Sequence, residues 1–195
     1  MPLLTSWRDR PLPVLAALGA VSGLLSAVVG FELRIDVLDW PGILFFLSAE
    51  MMPVGLFFAA VMAFAVAAWD SRAWAPIITF AGTLYAWSAA IQTAIWLHRV
   101  GGGDASHAGP LSAGICAGFI GAALSHLSVA LFLPALRSWR LTARTALIGA
   151  LAGVLFYFGS RNIIDARILF LVWQPAVAAS IGRALASGKT QPAIA

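Results

Sequence analysis

The polar side chains best suited to binding a ligand lie within stretches of sequence that are otherwise apolar. Tyr85, Gln92 and Arg99 recur every seven residues, a spacing that places them on one face of a helix. An arginine can hold an anionic group, while a tyrosine hydroxyl and a glutamine amide fix its orientation by hydrogen bonds. The pattern therefore predicts a binding site for a small polar or anionic molecule on this helix.

A second set of polar residues favours the same interpretation. Arg167 and Gln174 are seven residues apart in the last apolar stretch, and Glu50 stands near the start of the second. Glu50 lies at the membrane interface if that span begins at Met51, and more than two turns deep if it begins near Gly42; we favour the interfacial placement. Polar groups within lipid are costly and mark candidate functional sites. The predicted ligand-binding residues are Glu50, Tyr85, Gln92, Arg99, Arg167 and Gln174. The alternative is that these side chains hydrogen-bond one helix to another and that the arginines anchor span ends.

Three further residues, His126, Arg161 and Asp165, are secondary candidates. His126 can relay a proton or contact a ligand, although a hydrogen bond to a neighbouring helix is the simpler interpretation. Arg161 and Asp165 are four residues apart and can form an ion pair. The chain contains no HExxH or GxSxG motif, and its tail GRALASGKT lacks the glycine spacing of a phosphate-binding loop. We therefore expect no catalytic residue, no metal, no cofactor and no enzymatic activity.

The elements that must position these residues are transmembrane helices. Hydrophobic residues make up 61% of the 195-residue chain and charged residues 10%, with a mean hydropathy of +0.91. Soluble domains carry about a quarter charged residues, so a water-soluble fold is excluded. The pI near 10.2 comes from arginines in short connections, so we expect no nucleic acid partner. The prediction is one integral membrane domain over residues 1–195, with the lipid bilayer as its surroundings.

The sequence predicts an all-α polytopic bundle of six spans, at about 12–32, 43–69, 73–97, 110–135, 143–160 and 166–186. The last two are the shortest, because only 16 uncharged residues separate Arg144 from Arg161 and 15 separate Arg167 from Arg183. At ~1.5 Å per residue these runs fall short of the hydrocarbon thickness. The alternatives are therefore five spans, or a partial hairpin for the last two. The first span is expected to be a retained helix, because it is longer than the ~7 to 15 residues of a signal-peptide core.

Basic residues are divided unequally between the two sides of this map. Eight lie on the side of the N-terminus and four on the opposite side, which predicts both ends in the cytoplasm. Small residues recur four apart in nearly every span, which predicts close helix packing in a compact monomer or in a homodimer. We expect a multi-pass protein of the cell inner membrane that binds or transports a small molecule through an outward-facing polar pocket between the second, third and sixth spans. The alternative is a non-catalytic structural or assembly subunit, with other membrane subunits as its partners.

Overall fold

The computed structural model describes residues 7–30 and 52–188; 86% of these residues are helical, and there is no strand among them. Helix α1 covers Pro11–Leu25 and continues as a π-helical turn, Ser26–Gly30. The other helices are α2 (Met52–Trp69), α3 (Ala75–Val100), α4 (Ala108–Ala130), α5 (Trp139–Gly153), α6 (Leu155–Ser160) and α7 (Ile168–Gly188). Helix α6 continues α5 after a break at Val154.

Proline and arginine residues fix where several helices begin and end. Pro11 and Pro76 occupy the first turns of α1 and α3, where a missing N–H is tolerated. Helix α4 ends at Ala130, well before the predicted boundary at residue 135, because a 3-10 turn begins at Pro134. Arg137 then donates hydrogen bonds to the carbonyl oxygens of Ala130 and Leu131, at 3.1 and 2.7 Å. These bonds satisfy acceptors that the end of a helix leaves free.

Glycines carry the closest helix contacts. Helices α1 and α7 pack antiparallel, and a Cβ added at Gly19 or Gly23 would lie 2.7 Å from Ala178 Cβ or 2.6 Å from the Phe170 carbonyl oxygen, respectively. In the second seam, between α4 and α5, glycines face glycines. Its pairs are Gly114 with Gly153 and Gly118 with Gly149, and an added Cβ at any of the four would collide with backbone. Small-residue repeats that the sequence shows are thus used within one chain, where they bring helix backbones together.

The chain reverses direction from each long helical segment to the next, so the bundle has two ends. One end, here called the arginine-rich end, holds the start of α1, the end of α7 and the connections at 70–74 and 131–138. Its described arginines are Arg8, Arg10, Arg72, Arg137, Arg140, Arg144 and Arg183. The opposite end holds the connections at 101–107 and 161–167, with Arg99, Arg161 and Arg167. Buried apolar residues such as Leu15, Met62, Leu136 and Ile181 concentrate toward the arginine-rich end.

Four helical segments are long and apolar enough to cross a membrane: Pro11–Gly30, Ala108–Ala130, Trp139–Ser160 and Ile168–Ser187. The last two are 22 and 20 residues long, which is longer than the uncharged runs of 16 and 15 residues on which the alternative of a partial hairpin was based. The helices include arginines such as Arg140 and Arg183 near their ends, which lengthens them beyond the uncharged runs. The apolar part of α2, Pro53–Trp69, is shorter than these four segments. Helix α3, although 26 residues long, carries more polar residues and does not belong to this apolar set.

Candidate functional site

An apolar cavity of about 250 Å³ lies between α3, α4, the α5–α6 segment and α7, in the half of the bundle nearer the opposite end. Four aromatic residues and many small ones form its walls, and Ser160 is the one lining side chain with a polar hydroxyl. The aromatic residues are Trp87, Phe156, Phe170 and Trp173, and the small ones include Ala90, Ala94, Ala117 and Ala166. The cavity is therefore suited to an apolar ligand.

The aromatic walls are held by contacts with neighbouring helices. The rings of Trp87 and Phe170 lie 5.8 Å apart between α3 and α7, and those of Trp173 and Phe58 lie 5.2 Å apart between α7 and α2. Trp87 also packs against Gly55, where a Cβ would overlap its indole ring. The indole N–H groups of both tryptophans are buried without a hydrogen-bond partner, so ring packing alone fixes these side chains.

A polar cap closes the bundle beyond the cavity. Arg161 donates hydrogen bonds to the carbonyl oxygens of Asp104, at 2.8 Å, and of Ser106. His107 Nδ1 and the Tyr157 hydroxyl are 2.7 Å apart. These contacts tie the 101–107 connection to α6, the helix that supplies Phe156 and Ser160 to the cavity wall. The cap therefore fixes one wall of the cavity.

Gln174, a predicted ligand-binding residue, is fully buried between helices and does not line the cavity. Its Oε1 accepts a hydrogen bond from Ser22 Oγ at 2.5 Å, and its Nε2 donates to Ser26 Oγ at 2.9 Å. Ser26 Oγ in turn donates to the Val54 carbonyl oxygen at 3.3 Å. This network joins α1, α2 and α7, so Gln174 holds helices together.

The predicted residues of α3 lie on its exposed face. Tyr85 is 49% exposed, and Gln92 and Arg99 are exposed as well. Ser88, three residues after Tyr85 on the same helix, is buried. None of these residues lines the cavity. The sequence interpretation required Gln92 and Gln174 to share one pocket, and the structure does not bring them together.

The remaining candidates are dispersed. Arg167 is half-buried at the start of α7, and its backbone N–H donates to the Asp165 carboxylate at 2.8 Å. Arg161 binds backbone carbonyls in the polar cap, and the predicted Arg161–Asp165 ion pair is not among the ion pairs of the described residues. Glu50 lies outside the described residues.

His126 is fully buried in α4 and bonded on both ring nitrogens. Nε2 lies 3.2 Å from the Leu136 carbonyl oxygen, and Nδ1 lies 3.3 Å from Thr145 Oγ1, which is 2.9 Å from Ser180 Oγ. A carbonyl oxygen only accepts, so Nε2 must carry the hydrogen, and a neutral ring then accepts at Nδ1 from the Thr145 hydroxyl. The network links α4, α5 and α7, and each polar side-chain atom in it makes a hydrogen bond.

The sequence interpretation missed the cavity, although a signal for it exists. Six of the eight tryptophans fall near the ends of the predicted spans, where indole rings settle at membrane interfaces. Trp87 and Trp173 are the two that fall within spans, and both line the cavity. A tryptophan far from the interface was thus the better guide to the site than the polar residues.

No group of three or more metal-ligating side chains occurs within residues 7–30 and 52–188. Comparison with known proteins found no matching family model, no matching curated protein and no matching solved structure. The geometry of the chain itself therefore has to carry the functional argument.

Proposed function

We propose that this chain is a multi-pass protein of the cell inner membrane that crosses the bilayer six times, with both ends in the cytoplasm. Four apolar helical segments support membrane insertion, and the antiparallel bundle accommodates α2 and α3 as further spans. Seven of the ten described arginines lie at the arginine-rich end. The positive-inside rule then assigns that end to the cytoplasm, so the cavity lies in the outer half of the membrane.

We further propose that the protein binds or transports a small apolar molecule in the cavity. The single observation that carries this proposal is the aromatic-lined cavity itself. Cavities of ~150 Å³ with apolar walls bind benzene, while ~300 Å³ and more is typical of drug-sized ligands. A volume of about 250 Å³ therefore corresponds to about ten non-hydrogen atoms, by scaling from benzene.

The composition of the walls selects against a charged ligand in the cavity itself. The polar side-chain groups of the lining residues are the Ser160 hydroxyl and the indole N–H groups of Trp87 and Trp173. These three neutral groups cannot replace the hydration of an ion. This changes the ligand class from the polar or anionic molecule that the sequence favoured to an apolar one. Such a ligand dissolves in the bilayer, so it can approach the cavity from lipid instead of from water.

A thermal shift experiment tests the proposal on purified protein in detergent, with 1-decanol as the probe. A ligand present at ~100 times its dissociation constant stabilises the folded state by ~2.7 kcal/mol, which raises Tm by about 5 to 10 °C in a chain of this size. Ala94→Phe, which fills part of the cavity, should remove that increase. Ala81→Phe, on an exposed position of α3 away from the cavity, should retain it and so controls for effects of decanol on the micelle. An equal shift in both variants would refute cavity binding.

The second candidate function is that of a structural or assembly subunit. The buried Ser22–Gln174–Ser26 bridge supports it, because this polar group serves helix packing, and so does the polar exposed face of α3. The two candidates differ in one outcome: a pure scaffold shows no saturable ligand-dependent rise in Tm, whereas a binding protein does.

A further inference from the structure

We propose that one exposed face of α5 binds an anionic phospholipid. The face, here called the α5 stripe, begins at the arginine-rich end with Arg140 and Arg144 and continues with Leu147 and Leu151. At 100° per residue these four side chains fall within about 60° of one another, and all four are exposed. The proposal rests on the membrane insertion proposed above, because the stripe belongs to the apolar segment Trp139–Ser160.

The two arginines of the α5 stripe differ from two others at the same end of the bundle. Arg72 is paired with the Asp70 carboxylate, and Arg137 donates hydrogen bonds to carbonyl oxygens at the end of α4. Arg140 and Arg144 belong to none of the ion pairs within residues 7–30 and 52–188. Because they are four residues apart on a helix, their like charges repel each other. An anion bound between the two guanidinium groups offsets that repulsion.

The order of residues along the α5 stripe matches the parts of a phospholipid. The exposed ring of Trp139, whose centre is 5.9 Å from the Arg140 guanidinium carbon, marks the headgroup level, where indole rings settle. Leu147 and Leu151 are 58% and 74% exposed. They follow Arg144 by about 4.5 and 10.5 Å along the helix axis. Their side chains therefore lie beside an acyl chain while the guanidinium groups stay at the level of the phosphate.

Charge complementarity selects an anionic lipid over a zwitterionic one. A guanidinium binds a phosphate through paired hydrogen bonds, but in a zwitterionic headgroup a cationic amine cancels the phosphate charge. Two arginines should therefore enrich anionic over zwitterionic lipid at the α5 stripe about 30-fold, which corresponds to ~1 kcal/mol for each basic residue near the membrane surface. The leucines favour a lipid over a free phosphate ester, because only the lipid also covers their side chains.

Fluorescence quenching by lipids with brominated acyl chains tests the proposal in proteoliposomes of the full chain. In a Cys116→Ala background, a fluorophore attached at Leu147→Cys reports which lipid covers the α5 stripe. The measured quantity is the ratio of quenching by brominated phosphatidylglycerol to quenching by brominated phosphatidylcholine, each present as a trace in phosphatidylcholine vesicles. Ile78→Cys is the matched control: it is exposed near the start of α3, where Asp70 neutralises the charge of Arg72.

The quenching ratio should be about 30 at Leu147→Cys and about 1 at Ile78→Cys. Substituting both Arg140→Gln and Arg144→Gln should lower the ratio at Leu147→Cys to about 1. Arg10→Gln, which removes one charge from the same end outside the stripe, should leave it unchanged.

Equal ratios at the two labelled positions, or a preference that survives loss of both arginines, would overturn the proposal. Displacement of the lipid by excess glycerol 3-phosphate in the buffer would also overturn it, because the ligand would then be a free phosphate ester. Absence of quenching by either brominated lipid, at either position, would instead refute the membrane insertion on which the proposal rests. The two kinds of failure are therefore distinguishable.

Discussion

Replacing Gln174 by leucine tests whether this buried amide serves helix packing or ligand binding. Leucine is similar in volume but can neither accept the bond from Ser22 Oγ nor donate to Ser26 Oγ. Interhelical hydrogen bonds in membrane proteins are worth ~0.6 kcal/mol on average and up to ~1.7 kcal/mol. Loss of two bonds should therefore lower the free energy of unfolding by about 1 to 3 kcal/mol.

A double-mutant cycle assigns this loss to the bridge itself. Ser22→Ala alone should cost about 0.6 to 1.7 kcal/mol, since its hydroxyl makes one interhelical bond. The double variant Ser22→Ala/Gln174→Leu should lose less unfolding free energy than the sum of the losses in the two single variants. The reason is that both substitutions break the same hydrogen bond. Equilibrium unfolding in detergent mixed with sodium dodecyl sulfate measures each free energy.

The same variant separates the two roles of Gln174 by a second readout. If Gln174 acts in packing, Gln174→Leu keeps the decanol-dependent rise in Tm, starting from a lower Tm. Full additivity of the two substitutions, together with unchanged stability, would refute the bridge. Loss of the decanol effect at unchanged stability would make Gln174 a ligand-binding residue, as the sequence suggested.

Three further substitutions follow from the packing of the bundle. Gly118→Ala should lower the free energy of unfolding by about 1 to 3 kcal/mol or more, because the added Cβ meets α5 backbone that cannot move aside. Gly121→Ala is the control and should cost less, because the nearest neighbour of its added Cβ is 3.1 Å away. Equal costs in the two variants would refute the glycine seam. His126→Leu should cost about 1 to 3 kcal/mol, because it removes two hydrogen bonds that are worth ~0.6 to 1.7 kcal/mol each. A neutral result in the same unfolding assay would contradict the network. The side-chain and backbone hydrogen bonds from Arg72 lower the pKa of Asp70 to about 2. The pair therefore stabilises the fold above pH ~3.9, the ordinary aspartate pKa. This contribution is lost as the pH falls from ~3.9 through 2, so the stability difference between the parent and Asp70→Asn should vanish only below pH 2. A difference that persists at lower pH would exclude the pair as its source.

The sequence predicted the helical elements well because their signals are local. Apolar runs bounded by charge gave helices close to α1, α3 and α7, and glycine spacing indicated the close packing later seen at Gly118 and Gly149. Helix ends were less accurate where side chains act at a distance. Arg137, for example, folds back on the end of α4, a contact that no pattern in the sequence reveals.

The candidate site was not predictable in the same way, because it depends on which helices are neighbours. Gln92 and Gln174 both lie in the half of the bundle nearer the opposite end, yet one faces outward from α3 and the other lies between α1 and α7. Helical spacing assigns residues to a face but does not say what that face contacts. Trp87 and Trp173 become a shared cavity wall only once α3 and α7 are placed beside each other.

The most direct test of the proposed binding cavity is to map where an apolar probe attaches. A photoreactive diazirine analogue of 1-decanol, activated in proteoliposomes, should label peptides containing Ala94 and Trp173 in a saturable manner that excess 1-decanol prevents, and Ala94→Phe should abolish that labelling. Labelling confined to the lipid-facing residues of α1 and α5, or labelling that rises without saturation, would contradict the proposal.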